Sequence, residues 1–581
     1  MPGQHIIRFV ALLVAGCVAY CCGAAAQTEN GRQGVIPSGP YRIAGTAVNT
    51  KGAGPLTRAR VSISDSKNRQ NLQSLITGDD GRFEFHVPAG KYELFAAKRG
   101  YIAASYNQHD QFSTAIVTGA DLDTENLVLR LAADAVLTGR VLDEVGDPVR
   151  HAQVTVYREF HAQGVSRVVS FRTSVTDDQG RYEVTPLNEG TYFVSAKASP
   201  WYAVHPQPQV EAGSPRFGGW IATGPGGVYP VDAVQEPLGV ETTQFPSHVD
   251  PSFDVAYAIT YYGDVTESDE ATPIPVRGGD RLEADIHLNP VPAMHLLLHV
   301  ATEGSSVSLP GLEKPAFQNL ETINSEIVGI APGVFELTGV AAGRYSVVIR
   351  DPGGEMKIAE SNLSSGELDL SSAKPTSKIT AKVQIEGTPT IPAPFQVAMR
   401  NGNGRPKVSQ VDAKGEANFA NVGAGKYDFA AWSETQRYSV VRIATEGGVI
   451  SGRSLNVSPT VTPGASLNIT LSLLGGSVTV EGYAKRDGKA ASGVMIVLVP
   501  KNPSENRDRF RRDQSDLDGS FGLPNVIPGE YSIVAIDDGW DLDWAEPSVI
   551  AAYLPKGQTI EVGAQISGTM HLPDTVKVQG K

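Results

Sequence analysis

Cysteine is nearly absent from this sequence. The 581 residues include three cysteines, Cys17, Cys21 and Cys22, and all of them lie close to the N-terminus. A chain cut after Ala26 therefore has no thiol, which excludes disulfides, zinc–thiolate sites and cysteine nucleophiles from the remainder.

Runs of basic residues are also missing. The chain has 49 Lys and Arg against 63 Asp and Glu, a formal net charge of -14. Binding to nucleic acid or to an anionic membrane rests on Lys and Arg that neutralise phosphates. We therefore expect no nucleic-acid partner, and membrane contact only through the N-terminal segment described below.

No catalytic motif is present: the sequence has no H-x-x-E, H-E-x-x-H, G-x-S-x-G or P-loop spelling. His295 and His299 in "HLLLH" would lie about 13 Å apart on one face of a strand, too far to share a metal, so we expect them on a solvated strand face. The expectation is no metal, no cofactor and no enzyme. The alternative is an accessory chain of a peptidase or glycosidase, or such an enzyme itself, since a carboxylate pair is defined only by its separation in space.

Long apolar runs are limited to the N-terminus. Arg8 precedes an apolar segment that ends near Ala26, where three alanines supply the small residues that signal peptidase requires. The segment predicts a signal peptide and hence an extracytoplasmic protein, either secreted, periplasmic or on the outer surface. Val14-Ala15-Gly16-Cys17 also resembles a lipobox, which would place a lipid on Cys17. An uncleaved anchor is the third interpretation.

Helical spacing is scarce, whereas Gly (61) and Pro (38) are plentiful. Short runs of Val, Ile, Thr and Tyr are bounded by Asp-Gly or Pro-Gly turn signals. This pattern predicts an all-β chain.

A repeated segment is the main feature that the sequence does have. "DDGRFEFHVPAGKYELFAAKRGY", residues 79–101, predicts two strands of a hairpin around a turn. Each copy has a first Gly, an aromatic residue, a second Gly and a Tyr, and the distance from first Gly to Tyr is 11 residues in the first copy and 12 in the others. The five sets are Gly81, Phe83, Gly90 and Tyr92; Gly180, Tyr182, Gly190 and Tyr192; Gly333, Phe335, Gly343 and Tyr345; Gly415, Phe419, Gly425 and Tyr427; Gly519, Phe521, Gly529 and Tyr531. Five copies predict five domains.

Each position of the repeat has a physical reason. Both glycines suit turns that need positive φ. We expect the Tyr ring to lie in the core with its hydroxyl bonded to nearby backbone, as in the tyrosine corner of sandwich domains.

Strand-turn-strand segments precede the first two copies: "IAGTAVNTKGAGPLTRARVSI" and "LTGRVLDEVGDPVRHAQVTVY". Here, over 41–100 and 137–198, the chain resembles the carboxypeptidase regulatory-like domain, and it does so more faintly over 478–536. The resemblance implies a transthyretin-like, seven-stranded β-sandwich with a carbohydrate-binding-like fold, which is found in tandem in bacterial envelope proteins. It also implies that the domain itself is non-catalytic.

The expected fold class is thus all-β, a tandem array of about five transthyretin-like or Ig-like β-sandwiches after a signal segment. The expected ranges are signal peptide 1–26, linker 27–40, sandwich 1 at 41–133, sandwich 2 at 134–293 with a Pro/Gly-rich insertion at 200–250, sandwich 3 at 294–377, sandwich 4 at 378–475 and sandwich 5 at 476–581.

Two aromatic stretches fall outside the sandwich pattern. The first is the start of the insertion, with Trp201, Tyr202, Trp220 and Tyr229. A long Pro/Gly loop with large aromatic residues is either packed on its own sandwich or forms a binding surface. In the second case the ring faces would stack on sugars.

The second stretch is "DDGWDLDWAEP", residues 537–547, with Trp540, Asp541, Asp543 and Trp544. It is either a sugar-binding loop or a solvated acidic loop; a Ca²⁺ site would need a ligand spacing that is absent. The function that we predict is extracytoplasmic binding or scaffolding in the cell envelope, with a polysaccharide or another envelope protein as partner.

Overall fold

The computed structural model describes residues 36–69, 71–119, 122–162, 164–206, 220–222, 228–230, 250–300, 310–317, 319–331, 333–350, 356–370, 377–388, 390–401, 406–423, 425–445, 452–457, 466–476, 478–563 and 568–581. The predicted signal peptide, with Cys17, lies outside these residues. The chain divides into two compact units, Met1–Asp134 and Ala135–Lys581.

The first unit holds one β-sandwich. Its strands are β1 (Tyr41–Asn49), β2 (Arg60–Asp65), β3 (Leu72–Ile76), β4 (Arg82–Val87), β5 (Lys91–Ala97), β6 (Ala104–Ser105), β7 (Ile116–Val117) and β8 (Leu127–Leu131). One sheet has the order β4-β1-β8, and the other has β3-β2-β5-β6 with β7 also beside β5. The alternating side chains of β4 and β5 are buried on one face, which places Phe83, Phe85, Tyr92 and Leu94 in the core.

The second unit begins with a similar sandwich, interrupted by the insertion. The strands are β9 (Ala135–Leu142), β10 (Gln153–Ala162), β11 (Val165–Val175), β12 (Arg181–Leu187), β13 (Gly190–Lys197), β14 (Trp220–Ala222), β15 (Val228–Pro230), β16 (Val255–Tyr257), β17 (Thr260–Tyr261), β18 (Ile274–Val276), β19 (Arg281–Glu283) and β20 (Ile286–His287). Its sheets are β12-β9-β19, with β20 beside β9, and β11-β10-β13-β17, with β18 beside β13. Strands after the insertion therefore complete both sheets. A 3₁₀ turn spans Ser268–Glu270.

The third sandwich adds β21 (Pro290–Pro292), β22 (Leu296–His299), β23 (Pro310–Ala316), β24 (Asn319–Ile323), β25 (Glu326–Ala331), β26 (Val334–Thr338), β27 (Gly343–Arg350), β28 (Met356–Leu363) and β29 (Gly366–Asp369). Its sheets have the orders β15-β14-β25-β26-β22-β29 and β24-β23-β27-β28, and β21 pairs with β16. Two strands of the insertion thus extend a sheet of the third sandwich.

The fourth domain contains β30 (Ser377–Ile385), β31 (Phe395–Asn401), β32 (Lys407–Gln410), β33 (Glu416–Val422), β34 (Gly425–Ser433), β35 (Arg437–Thr445), β36 (Ser454–Val457) and β37 (Ser466–Gly475). They form one curved sheet, β32-β31-β34-β35-β37-β30-β33, with β36 beside β34.

The fifth domain contains β38 (Val478–Arg486), β39 (Lys489–Ala490), β40 (Met495–Pro500), β41 (Arg511–Gln514), β42 (Ser520–Val526), β43 (Gly529–Ile536), β44 (Gln558–Val562), β45 (Gly568–His571) and β46 (Val576–Gln579). Its strands are joined in the order β39-β38-β46-β43-β40-β41, with β42 and β45 beside β38 and β44 beside β43. A short helix, α1 (Pro547–Ile550), follows β43, and 3₁₀ turns span Arg507–Arg509 and Leu554–Lys556.

The hairpin interpretation of the repeated segment is wrong. In the first sandwich β4 pairs with β1, whereas β5 pairs with β2 in the other sheet. The second and third sandwiches separate the two strands in the same way. The repeat is therefore a crossover between sheets, and its alternating aromatic residues fill the space that the crossover encloses.

A tyrosine corner holds each crossover, as the sequence predicts. The hydroxyls of Tyr92, Tyr192, Tyr345, Tyr427 and Tyr531 donate to the carbonyl oxygens of Pro88, Asn188, Ala341, Gly423 and Ile527 at 3.1, 2.9, 2.8, 3.0 and 2.6 Å. All five tyrosines are buried. The acceptor is always four residues earlier, so the bond spans the turn between the two strands of the repeat.

The glycines meet the expectation only in part. The first Gly of every copy has φ between 68° and 82°, and its carbonyl accepts from an N–H in or next to the strand that pairs with the first strand of the repeat. Those donors are the N–H groups of Ala47, Val141, Val300, Val383 and Ala484. The second Gly has positive φ at Gly190, Gly425 and Gly529 but not at Gly90 or Gly343. At Gly90 the reason is space, because a Cβ there would lie 3.2 Å from Tyr92 Oη.

One hydrophobic cluster continues from the second sandwich into the third, beside the separate core of the second sandwich. Tyr157 and Tyr261 of the second lie in the same cluster as Leu312 and Phe335 of the third. Between the two sandwiches, the Tyr157 hydroxyl donates a hydrogen bond to Glu321 on β24. Burial raises the pKa of Glu321 to about 7.

The tyrosine corner predicts a local loss of stability in Tyr531→Phe. The substitution removes the donor to the buried Ile527 carbonyl, and we expect the free energy of unfolding of the fifth domain to fall by about 1–3 kcal/mol. Urea unfolding, followed by the fluorescence of Trp540 and Trp544 in the same domain, measures it. The control is Tyr483→Phe, because that side chain is 52% exposed. An equal loss in both variants would contradict the assignment.

Glu321 predicts that the stability of the contact between the second and third sandwiches depends on pH. Its folded pKa lies above its ordinary value of 4.5, so its contribution is present at acid pH and is lost as the pH rises from about 4.5 through 7. Glu321→Gln removes the charge, and we expect it to stabilise the chain by roughly 1–3 kcal/mol near pH 8 and little near pH 4. Thermal unfolding at both pH values, with the exposed Glu326→Gln as control, tests this. A gain of the same size at both pH values would rule it out.

Candidate functional site

Trp201 is the most exposed large hydrophobic side chain among the described residues, at 88%. It lies in the turn after β13, immediately behind Pro200. The ring of Tyr202 meets it edge-on, with centroids 5.7 Å apart and an interplanar angle of 86°. An indole presented to water in this way has its faces available for a ligand.

The carboxylate of Glu144 holds the Trp201 turn through two hydrogen bonds. Tyr202 donates its hydroxyl to Glu144 Oε1, and Tyr257 on β16 donates to Glu144 Oε2 at 3.0 Å. Burial opposes ionisation of Glu144, but the hydrogen bonds from Tyr202, its own backbone and Tyr257 lower its pKa below the ordinary value. The same carboxylate raises the pKa of Tyr202 to about 12. The turn therefore rests on an ionised carboxylate bound by two hydroxyls.

Further exposed apolar side chains belong to the same region. The Val204 N–H donates to the Phe253 carbonyl at 2.8 Å, which ties the segment of Trp201 to the chain that returns from the insertion. Val145 adjoins Glu144, and Val291 lies opposite Ala256 in the β16–β21 pair. We call Val145, Trp201, Val204, Phe253 and Val291 the Trp201 surface; all five are exposed. Apolar groups gathered on a surface mark an interaction site more often than scattered ones.

Trp220 and Tyr229 lie on different elements from the Trp201 turn. Trp220 begins β14 opposite Ile327 on β25, and Tyr229 is central in β15 opposite Ile221. The backbone thus assigns both to a sheet edge of the third sandwich.

The loop at 537–547 is packed instead of open. Trp544 is only 6% exposed, and its ring lies 6.0 Å from that of Phe510. Gly164, between β10 and β11 of the second sandwich, approaches so closely that a Cβ there would lie 2.5 Å from the indole. Ala545 N–H donates to the Gly164 carbonyl at 3.0 Å. Trp544 therefore joins the second and fifth domains.

The other members of the loop also have partners. Asp543 Oδ1 accepts from the Ser166 N–H at 2.6 Å, and Asp541 forms an ion pair with Lys581. The Arg512 guanidinium lies over Trp540, 5.0 Å from the ring centroid. The structure thus brings Trp201 and Tyr202 together on a surface, and places Trp540, Asp541, Asp543 and Trp544 in contacts within the chain.

A chain of carboxylates and imidazoles lies behind the Trp201 turn, and the sequence did not predict it. Glu336 Oε1 contacts His295 Nδ1 at 2.9 Å, His295 Nε2 contacts Asp254 Oδ2 at 2.7 Å, and Asp254 Oδ1 contacts His205 Nδ1 at 2.9 Å. We call these four residues the histidine chain. His295 was expected on a solvated strand face; this is wrong, because carboxylates cover both ring nitrogens. The four come from separate segments, so no local spacing could have revealed them.

In the part of the chain that the structure describes, no group of three or more His, Cys, Asp or Glu side chains is arranged to hold a metal ion. Among the same residues, no helix has the length and apolar character to cross a membrane.

These features define a class, a multi-domain β-sandwich protein with an exposed aromatic surface. Comparison with known families agrees with it. Residues 136–216 match the carboxypeptidase regulatory-like domain, and residues 474–553 match the second beta sandwich domain of the BOS complex subunit NOMO1-like family. The predicted resemblance is confirmed over residues 136–216, and the second match is consistent with further sandwich repeats of this kind.

Individual relatives are distant. Colossin-A of Dictyostelium discoideum is 30% identical over 141 residues, which cover 23% of this chain and 1% of Colossin-A. The Bacillus anthracis TIE protein is 11% identical, with 74% of each chain covered and a TM-score of 0.16. The minor pilin GBS52 of Streptococcus agalactiae is 12% identical, with 45% of this chain and 99% of the pilin covered and a TM-score of 0.19. Such TM-scores support no argument about function.

The two tryptophan sites predict effects of very different size on the free energy of unfolding. Trp544→Ala empties a packed site between two domains, and we expect a loss of about 3–5 kcal/mol. Trp201→Ala removes an exposed ring, and we expect a change within about 0.5 kcal/mol. Urea unfolding of both variants beside the unsubstituted chain measures the difference. A larger loss for Trp201→Ala would show that the Trp201 turn is structural.

Proposed function

We propose that this chain is a non-catalytic, extracytoplasmic binding protein that uses the Trp201 surface to hold a polysaccharide. One observation carries the proposal: the Trp201 side chain is 88% exposed and lies on a turn that hydrogen bonds hold in place. A ligand that stacks on Trp201 meets a ring on a turn that is already ordered, so little backbone entropy is lost on binding.

The chemistry around Trp201 supports a sugar. The apolar face of a pyranose ring packs on an indole face, and its hydroxyls need polar partners at the edge of that contact. Glu144 supplies carboxylate oxygens next to the aromatic pair Trp201 and Tyr202. The proposal therefore needs no metal and no catalytic group.

The repeated sandwiches suit a scaffold that presents this surface. Carboxypeptidase regulatory-like domains belong to non-catalytic families, and each sandwich here closes its own crossover with its own tyrosine. The predicted signal segment supports an extracytoplasmic location, either free, periplasmic or held by a lipid on Cys17. Another envelope protein is the second kind of partner that we propose for the same surface.

A binding experiment tests the proposal. The chain from Gln27 onward is applied to an array of bacterial polysaccharides and peptidoglycan fragments, beside Trp201→Ala and Tyr202→Phe. The matched control is Tyr483→Ala, which removes an exposed aromatic side chain from the fifth domain. Circular dichroism establishes that each variant is folded.

We expect binding that Trp201→Ala abolishes, Tyr202→Phe weakens and Tyr483→Ala leaves unchanged. Binding that survives Trp201→Ala would move the site elsewhere. If the unsubstituted chain binds no polysaccharide, the carbohydrate proposal fails and the envelope-protein partner takes its place.

A further inference from the structure

The histidine chain contains an imidazole that is bonded at both nitrogens. His295 Nδ1 faces Glu336 and His295 Nε2 faces Asp254, at 2.9 and 2.7 Å. An ionised carboxylate only accepts hydrogen bonds, and a neutral imidazole has one N–H. Both contacts can be hydrogen bonds at the same time only when His295 is an imidazolium ion.

The histidine chain connects the Trp201 turn to the third sandwich. His205 lies four residues after Trp201, and its Nδ1 bonds Asp254, whose backbone follows Phe253 of the Trp201 surface. Glu336 lies on β26, in the sheet of the third sandwich. The His205 side chain is 9% exposed and that of Glu336 is 12% exposed, so both ends are largely shielded from water.

We propose that protonated His295 clamps the Trp201 turn onto the third sandwich and that deprotonation releases it, so that the Trp201 surface is presented in a pH-dependent way. The clamp would regulate the ligand site proposed above. Only the effect of pH on ligand binding rests on that proposed function. The clamp itself involves no ligand.

Charge balance supports the clamp. One imidazolium between two carboxylates leaves a single excess negative charge, whereas a neutral imidazole leaves two carboxylates close to each other. Burial opposes the charge on His295, but the hydrogen bonds that its ring donates to Glu336 and Asp254 raise its pKa above the ordinary 6.5. Further titratable side chains lie on the neighbouring elements: His205 contacts Asp254, Glu326 on β25 is opposite Thr338, and Glu367 on β29 lies 3.7 Å from His299 Nε2.

The direction of the effect follows from the raised pKa. A group that binds its proton more tightly in the folded state stabilises that state fully below its unfolded pKa, near 6.5. The contribution is lost as the pH rises through the folded pKa. Each unit of difference between the two values changes the opening equilibrium about tenfold. The turn is therefore held at mildly acidic pH and freed on the alkaline side.

Limited proteolysis of the chain from Gln27 onward tests the clamp without a ligand. A protease that cuts after aromatic residues is applied near pH 6 and near pH 8.5, and mass spectrometry quantifies cleavage after Trp201, Tyr202 and Phe253. Cleavage of an unstructured reference peptide corrects for the pH dependence of the protease. The variant is His295→Gln, and the control is His287→Gln, whose exposed ring bonds a single carboxylate.

We expect cleavage at these sites to rise several-fold from the acidic to the alkaline condition in the unsubstituted chain and in His287→Gln. In His295→Gln it should be fast at both pH values. Corrected cleavage that does not change with pH in the unsubstituted chain, or a pH dependence that persists in His295→Gln, would overturn the clamp.

A second measurement covers the case in which His295→Gln misfolds. NMR of the chain labelled at the Cε1 positions of histidine follows the titration of His295 directly. We expect it to titrate above 6.5 and to shift downward in Asp254→Asn. A His295 that titrates at or below 6.5 would refute the clamp, whatever the polysaccharide array shows.

Discussion

The hydrogen bond from each repeated tyrosine to the carbonyl four residues before it is the constraint on which this structure depends. It closes the turn between the two strands of the repeat, and the tyrosine ring lies in the core. The first glycine of each copy holds the other end of the repeat, because its carbonyl accepts from an N–H in or next to the strand that pairs with the first strand of the repeat. A short sequence unit of this kind occurs five times along the chain, and in the first three domains it connects two separate sheets.

Much of this could be predicted from the sequence, because it is local. The all-β class, the tandem repeat, the buried tyrosine with its bonded hydroxyl and the turn at the first glycine all follow from residues a few positions apart. Which sheet each strand joins is not local, and for that reason the hairpin interpretation failed at β4 and β5. The sequence predicts a positive φ at Gly90, but the structure explains the glycine by lack of space. A side chain at this position would collide with the ring of Tyr92.

At the candidate site, too, the sequence predicts local features but not contacts between distant segments. Trp201 and Tyr202 stand out in the sequence as aromatic residues in a Pro/Gly-rich stretch, and the structure places them on an exposed turn. Trp540 and Trp544 stand out equally, yet their partners come from Arg512 and from the distant tip of β10 and β11. Composition cannot separate these two cases, because exposure depends on what the rest of the chain brings to the loop. The histidine chain is the extreme example, with every contact made between separate segments.

The molecule is a series of small β domains, each closed by its own tyrosine, and the Trp201 surface is exposed to solvent. We infer that Trp201, among the five tryptophans of the sequence, is the one that meets a ligand. The most direct measurement is a titration of the chain with a polysaccharide, in which NMR follows the indole N–H signals. We expect the Trp201 signal to shift while those of Trp540 and Trp544 stay in place. Shifts at Trp540 or Trp544 with Trp201 unchanged would contradict it.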